Sequence, residues 1–294
     1  MRKVSEMSVI QIEITNVCDR SCSNCTRFCG HFIKDRIFFV DVDYFRKAVN
    51  SLVSYQGIVG MIGGEPTLHP KFAELCHIFQ ELRPDKAKRG LWSNTRGKFN
   101  QYRTIINETF GYFNLNDHST SPVIHTPVLV ASEDMISDPL IRWSYIQNCW
   151  VQNTWSAPIT PKGVFFCEVA GMLSLLFDGP TGWDIEKDPE WWRKPISDYG
   201  EQIDWACSKC SCALLLLRRS CTDLKDDLSA TNLKRLQQVD SPKIRRGEYE
   251  IYSKGLHEGQ PRDATWYWGR SVFSWPRRLY RKIIRYARRL PRGS

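Results

Sequence analysis

Three thiols constrain this chain more than any other feature. Cys18-Asp-Arg-Ser-Cys22-Ser-Asn-Cys25 begins just after the run Ser8-Val-Ile-Gln-Ile-Glu-Ile-Thr15, whose apolar and polar residues alternate. The alternation reads as a strand, so the thiols occupy the loop at its carboxyl end. Cysteines spaced four and then three residues apart can wrap one corner of an iron-sulfur cube and leave the fourth iron without a protein ligand, open to chemistry. The same thiols could be most of a zinc site with Cys29 as fourth ligand, although structural zinc commonly takes paired C-x2-C units.

Farther along, strand and helix patterns alternate. Residues 41–54 read as a helix capped by Asp41 or Asp43, with Phe45, Val49, Leu52 and Val53 on one face. Residues 57–62 read as a buried strand ending at Gly63-Gly64, which lets the chain turn tightly beside a ligand. A helix over 71–82, a strand over 90–94, a helix over 99–110, strands over 112–116 and 127–131 and a helix over 139–147 follow. Such alternation implies βαβ units and a parallel sheet, hence an α/β fold. In these folds the residues at the carboxyl ends of strands line the site. The cysteine loop, Gly63-Gly64-Glu65-Pro66, Ser93-Asn94 and Asn116-Asp117 all fall there.

With Cys18, Cys22 and Cys25 as CxxxCxxC and Gly63-Gly64-Glu65-Pro66 as GGEP, the chain resembles the radical SAM enzymes. The resemblance implies a partial (β/α)6 barrel and a [4Fe-4S] cluster on the three cysteines, with S-adenosylmethionine chelating the open iron. It implies reductive cleavage of S-adenosylmethionine to a 5′-deoxyadenosyl radical that abstracts hydrogen from substrate. Gly63, Gly64 and Glu65 would bind the methionyl amine, and Ser93 and Asn94 match strand-end residues that bind ribose or carboxylate in relatives. Many members carry an aromatic residue before the third cysteine, near the adenine; here that residue is Asn24. His31 and His69 read as packing histidines, and Cys29 and Cys76 as small apolar residues.

Past residue 148 the pattern changes. Pro161-Lys162-Gly163 between apolar runs reads as a hairpin turn that brings Cys149 toward Cys167, and Cys207-Ser-Lys-Cys210-Ser-Cys212 follows a helix from about residue 170 to 177. Four such thiols suit a closed iron-sulfur cluster or a four-thiolate zinc site. The arrangement resembles the shortened SPASM module called twitch, which implies a second, auxiliary [4Fe-4S] cluster on Cys149, Cys167, Cys207 and Cys210; Cys212 or Cys221 would be a substitute for Cys210. The resemblance extends to the 2-deoxy-scyllo-inosamine dehydrogenase type, in which an electron leaves through the auxiliary cluster as a carbinol becomes a ketone. The reading is therefore a radical SAM oxidoreductase or epimerase acting on a carbinol carbon of a sugar or cyclitol, served by a reductase such as flavodoxin or ferredoxin. A peptide-modifying maturase is the alternative, and a zinc-stapled nucleic-acid-binding protein a third reading. No residue is assigned a catalytic role; Glu133, Asp134 and Arg142 lie near element ends without a stronger claim.

Net charge is +9 over 294 residues, but eight positive charges fall between Arg277 and Arg292, leaving a body near +1. Leu279, Ile283, Tyr286 and Leu290 recur there at helical spacing, so residues 275–294 read as a basic amphipathic tail suited to an anionic membrane surface. Nucleic acid or an acidic partner would satisfy the same charges. No long apolar run suggests a membrane span or signal peptide, so a cytoplasmic protein, peripheral at the membrane through its tail, is expected. Eleven cysteines in such a chain point to metal or redox chemistry rather than disulfides. The expected organisation is a radical SAM domain over 1–148, an auxiliary-cluster domain over 149–221, a polar, loosely organised extension over 222–274, and the tail.

Overall fold

Strand β1, Val9–Thr15, is buried on both faces, and the two faces differ in kind. Ile10, Ile12 and Ile14 point one way and Gln11, Glu13 and Thr15 the other, all at most 1% exposed. The isoleucine face meets helices α1, Val42–Asn50, and α2, Phe72–Leu82. Asp41 caps α1 by accepting from the amides of Asp43 (2.8 Å) and Tyr44 (3.4 Å), satisfying donors that a helix start leaves open.

The computed structural model describes residues 1–116 and 123–256. Strands β2 (Ile58–Gly63), β3 (Arg89–Ser93) and β4 (Tyr112–Leu115) extend the sheet from β1 in parallel, with α3 (Arg103–Thr109) before β4. On the other side of β1 stands β6, Ser156–Thr160, also parallel, followed by β7, Gly163–Val164, antiparallel across the Pro161-Lys162 turn. The order is β4-β3-β2-β1-β6-β7, a six-stranded, largely parallel sheet in an α/β fold. One of its parallel strands comes from the segment beyond residue 148.

Residues 127–131, expected as the fifth strand, do not join this sheet. Their main chain bonds elsewhere: Val128 O accepts from Ser211 N–H, Leu129 O from the Ser229 amide and the Asn232 side chain, and Ala131 N–H donates to Ser229 Oγ. The strand in that region is β5, Ile124–His125, paired antiparallel with β8, Arg219–Ser220. Helices α4 (Ser132–Met135), α5 (Pro139–Gln147) and α6 (Trp150–Thr154) lead into β6, and α7 (Glu168–Phe177) and α8 (Gly200–Lys209) follow β7.

The polar stretch after residue 221 is built, not loose, as far as residue 256. Strand β9 (Asp226–Leu228), helices α9 (Ala230–Gln238) and α10 (Pro242–Arg245) and strand β10 (Tyr249–Ile251) bury Asn232, Ser241 and Lys243 completely. Polar composition hid this because the buried groups are paired with one another across the fold. The basic tail over 275–294, the rest of the extension and Asp117 lie outside the described residues. Among the described residues no helix is long and apolar enough to cross a membrane.

Candidate functional site

Main-chain hydrogen bonds bring the sequence motifs together at the carboxyl end of the sheet. Gly64 N–H donates to Thr15 O (2.9 Å) and Glu65 N–H to Val17 O (2.7 Å), so the GGEP turn lies on the chain leading into Cys18. A Cβ at Gly63 would stand 2.2 Å from Thr15 O, and one at Gly64 the same distance from Val17 O. Only glycine fits there. Gly64→Ala is expected to push the Cys18 segment away and cost about 1–3 kcal/mol, read as a lower denaturation midpoint than in wild type.

Glu65 is fully buried, and its carboxylate accepts from Thr67 N–H (3.2 Å), Thr67 Oγ1 (2.7 Å), Ser93 Oγ (2.9 Å) and Asn94 N–H (2.8 Å). Burial pushes its pKa up, and those donors hold it back. The carboxylate therefore braces the ends of β2 and β3 against each other. Asn94 carries the brace onward: its Nδ2 donates to Asp19 Oδ1 (2.8 Å) and to Cys18 Sγ (3.5 Å), while Gly97 N–H donates to Asp19 Oδ2 (3.1 Å). Asn116 N–H donates to Ser93 O at 2.9 Å. Cysteine loop, glycine turn and β3 end thus form one closed ring.

The far side of the cysteine loop rests on residues some two hundred positions away. Asn24, in a left-handed conformation at φ 51°, donates from its main chain to Asp226 and from Nδ2 to Asp227 Oδ2 (2.8 Å), and accepts from Asp227 N–H (2.9 Å). The position that the sequence resemblance set near an adenine is here a buried clamp. His31 Nε2 lies 2.7 Å from Asp226 Oδ2 and its Nδ1 2.8 Å from Ser241 Oγ; Lys243 Nζ reaches the same Asp226 oxygen at 2.7 Å and Cys22 O at 3.3 Å. His31 is a structural histidine, and so is His69, which bonds Val40 O at 3.0 Å. Glu133 pairs with Arg235, Asp134 accepts from Thr231, and Arg142 donates to Ile136 O, so all three serve packing.

Ten of the eleven thiols fall into two groups. Cys29 lies beside Cys18 and Cys25, its thiol donating to Asn16 O at 3.9 Å, and Cys221 lies beside Cys22. Ser23 N–H also donates to Cys221 O at 3.0 Å, which places Cys221 with the first group rather than beside Cys210. Cys22 is pushed up to about 12 by burial and by its thiol neighbours, and Cys25 down to about 5 chiefly by the bond from Cys29. In the second group burial and the neighbouring thiols push Cys149, Cys167 and Cys207 up, while Cys212, bonded to Cys210, is raised and Cys210 is lowered. Cys149 and Cys167 immediately precede α6 and α7, and the amides of Val151, Gln152 and Ala170 turn toward the two sulfurs and favour their thiolates. Cys76 is fully buried apart from both groups, bonded to Thr109. Among the described residues no three His, Cys, Asp or Glu side chains are arranged to hold a single metal ion as they stand.

The residues around the first group suit a bound cofactor. Glu13 Oε2, Arg20 Nε, Ser21 Oγ, Ser23 Oγ and Arg27 Nε are buried without a hydrogen-bond partner. Orphaned polar atoms are rare in folded proteins, and here they crowd one loop and the polar face of β1. Soft thiolate donors beside them match iron-sulfur ligation.

That polar face was missed in the sequence. Arg27 bonds Glu13 and, at 2.9 Å, Glu168, and all three are nearly inaccessible to solvent. Ser156 Oγ lies 2.5 Å from Glu168 Oε2; the Gln11 amide, oriented to satisfy its neighbours, donates to Ser156 and Glu168 and accepts from Trp92 Nε1 at 3.3 Å. The Trp92 ring lies over Gly60 and Gly90, where a Cβ would stand 2.3 and 2.5 Å from it. The signal was present: a central parallel strand normally reads as unbroken apolar residues, and β1 alternates.

No model of a known protein family and no curated protein sequence matches this chain. Solved structures that align with it include two of BtrN. BtrN in complex with AdoMet and 2-DOIA is 16% identical, with 69% of this chain and 92% of that chain covered and a TM-score of 0.44. Selenomethionine BtrN in an open conformation is 14% identical, with 69% and 86% covered and a TM-score of 0.42.

Proposed function

We propose that this protein is a radical SAM enzyme that oxidises or epimerises a carbinol carbon of a sugar or cyclitol. The observation that carries the reading is the hydrogen-bonded ring joining Cys18, the Gly63-Gly64-Glu65 turn and Ser93-Asn94 at the carboxyl end of a parallel sheet. The fold then corresponds to a partial radical SAM barrel. Cys18, Cys22 and Cys25 would hold the cluster that binds S-adenosylmethionine, and Cys149, Cys167, Cys207 and Cys210 an auxiliary cluster, with Cys212 in reach as substitute. When bound, these groups supply a hydrogen-abstracting 5′-deoxyadenosyl radical and an acceptor for one electron.

The chain's own residues do the rest. Gly63 and Gly64, pressed against the Thr15 and Val17 carbonyls, would lie beside the methionyl group, while Glu65 holds the ends of β2 and β3 together. Asn94 sets Cys18 and Asp19. Arg27, two residues past Cys25, and Glu168, next to Cys167, meet between the two thiol groups. A substrate acted on from the first group and oxidised toward the second belongs beside them. Buried Arg, Glu, Gln and Ser side chains there suit a ligand rich in hydroxyl or amino groups, which needs a partner for every polar atom that leaves water. A small flavodoxin or ferredoxin would supply the electron that starts the cycle.

Iron and sulfide content with EPR on anaerobically reconstituted protein tests the assignment. Wild type should hold about eight irons and the Cys18→Ala/Cys22→Ala/Cys25→Ala variant about four, with 5′-deoxyadenosine formed on reduction only by wild type. Zinc without iron would refute it. About four irons falling to none would remove the auxiliary cluster and with it the electron exit of a dehydrogenase.

A further inference from the structure

Among the described residues Lys243 is the one lysine that is buried, and its ammonium stands against the cysteine loop. Resting on the reading above, we infer that the ion pair of Lys243 and Asp226 sets the reduction potential of the cluster on Cys18, Cys22 and Cys25. The ammonium favours the electron that the cluster takes up. The carboxylate, which fixes the ammonium there, limits that effect.

Strand β9 and helix α10 bring the pair from the far end of the chain. Lys243 Nζ lies 2.7 Å from Asp226 Oδ2 and 3.3 Å from Cys22 O, and Asp226 Oδ1 accepts from the Asn24 amide. Between these contacts Ser23 N–H donates to Cys221 O at 3.0 Å, and Ser23 O lies 2.7 Å from His125 Nδ1. The main chain from Cys22 to Asn24 is thus held at each step, with both charges one hydrogen bond away. The Lys243 stem reaches the loop across Gly30, where a Cβ would stand 3.1 Å from its Cδ and 3.2 Å from its Cγ. The other buried charges nearby have partners of their own: Arg27 is taken by Glu13 and Glu168, and Asp227 pairs with Arg219 at 2.9 Å. His31 Nε2 meets the Asp226 oxygen that Lys243 meets.

Packing alone gives no reason for this pair. Taking an ammonium and a carboxylate out of water is costly, and apolar residues of the same volume often serve stability as well or better. A cluster supplies the reason. On reduction the cluster and its thiolates gain one negative charge, taken from a one-electron donor of the flavodoxin or ferredoxin type, and no bond forms or breaks. The potential of that step depends on the charge, hydrogen bonding and solvent exposure around the cluster. In a poorly polarisable interior a cation beside the loop favours the added electron and an anion opposes it.

The test compares wild type with Lys243→Met, Asp226→Asn and the double variant, all full length and anaerobically reconstituted. Arg46→Gln, which removes one charge from an exposed pair with Glu81, is the control. Iron content is measured, and redox titrations follow the EPR signal that changes on adding S-adenosylmethionine, which identifies the first cluster. Lys243→Met should shift its potential down, because Asp226 is left alone beside the loop. Asp226→Asn should shift it up, because Lys243 is left alone, and the double variant should return it most of the way to wild type. Each single variant is decisive by the sign of its own shift. A loop that had merely loosened would not answer with opposite signs to the loss of two side chains that hold the same main chain. Shifts of one sign, or potentials equal to those of wild type and Arg46→Gln, would overturn the inference. So would loss of iron from the first group in all three variants, since the pair would then only support the loop. A wild-type protein with no iron on Cys18, Cys22 and Cys25 would refute the functional reading itself, a result distinct from these.

Discussion

Replacing Arg27 by methionine is expected to destabilise the protein by about 3–5 kcal/mol, the cost of leaving a buried charge without its partner. Arg27 is the cation between Glu13 and Glu168, and all three side chains are at most 6% exposed. Without it two carboxylates face each other in the polar interior. Adding Glu13→Gln and Glu168→Gln to Arg27→Met should restore most of the loss, since neutral amides of similar shape remove the repulsion. Urea denaturation midpoints of the single and triple variants check this. A single variant as stable as wild type would mean that water or a neighbour already compensates the pair.

The same cluster makes stability depend on pH. One guanidinium cannot neutralise two buried carboxylates, and Glu13, pushed up by burial and by Glu168 beyond what Arg27 offsets, moves from 4.5 to about 7. The folded protein therefore keeps a proton that the unfolded chain gives up near pH 4.5. Stability from this group is full below that pH and is lost as pH rises through about 7, by roughly 3 kcal/mol at most. In Glu13→Gln the decline over that window should flatten.

Glu65→Ala should cost a similar amount, about 3–5 kcal/mol, for a different reason. It leaves the amides of Thr67 and Asn94 and the hydroxyls of Thr67 and Ser93 without their acceptor inside the protein. Because those donors join β2 to β3 and, through Asn94, to Cys18, iron retention at the proposed cluster should fall with stability. Glu65→Gln keeps one acceptor oxygen and should cost less, about 1–3 kcal/mol. Paired measurements of melting temperature and S-adenosylmethionine affinity separate this brace from a direct ligand. Lost affinity at unchanged stability would show that the carboxylate faces the ligand instead.

Much of the architecture was legible in the residue order. Asp41 or Asp43 marked the start of α1, and Asp41 caps it; Pro161-Lys162-Gly163 marked the hairpin between β6 and β7, and the glycines at 63 and 64 a tight turn, which the fold makes against the Thr15 and Val17 carbonyls. These are local features, written within one turn or one strand. The expected strand over 127–131 failed because its amides and carbonyls are taken by Ser211, Ser229 and Asn232, partners that no local pattern reveals.

The sequence by itself determined the donor atoms and their order: two sets of thiols, a glycine turn and strand ends on which to place them. Spacing along the chain is enough for that, since a loop of seven or eight residues limits where its cysteines can go. Only the tertiary structure decided that Cys221 stands with the first set rather than beside Cys210. It also decided what stands between the sets and behind them. Arg27 meets Glu168 across 141 residues and Asn24 meets Asp227 across 203. Such pairs form because a charged or amide group taken from water must find a partner wherever the folded chain offers one, and that place is fixed by packing rather than by neighbourhood in sequence.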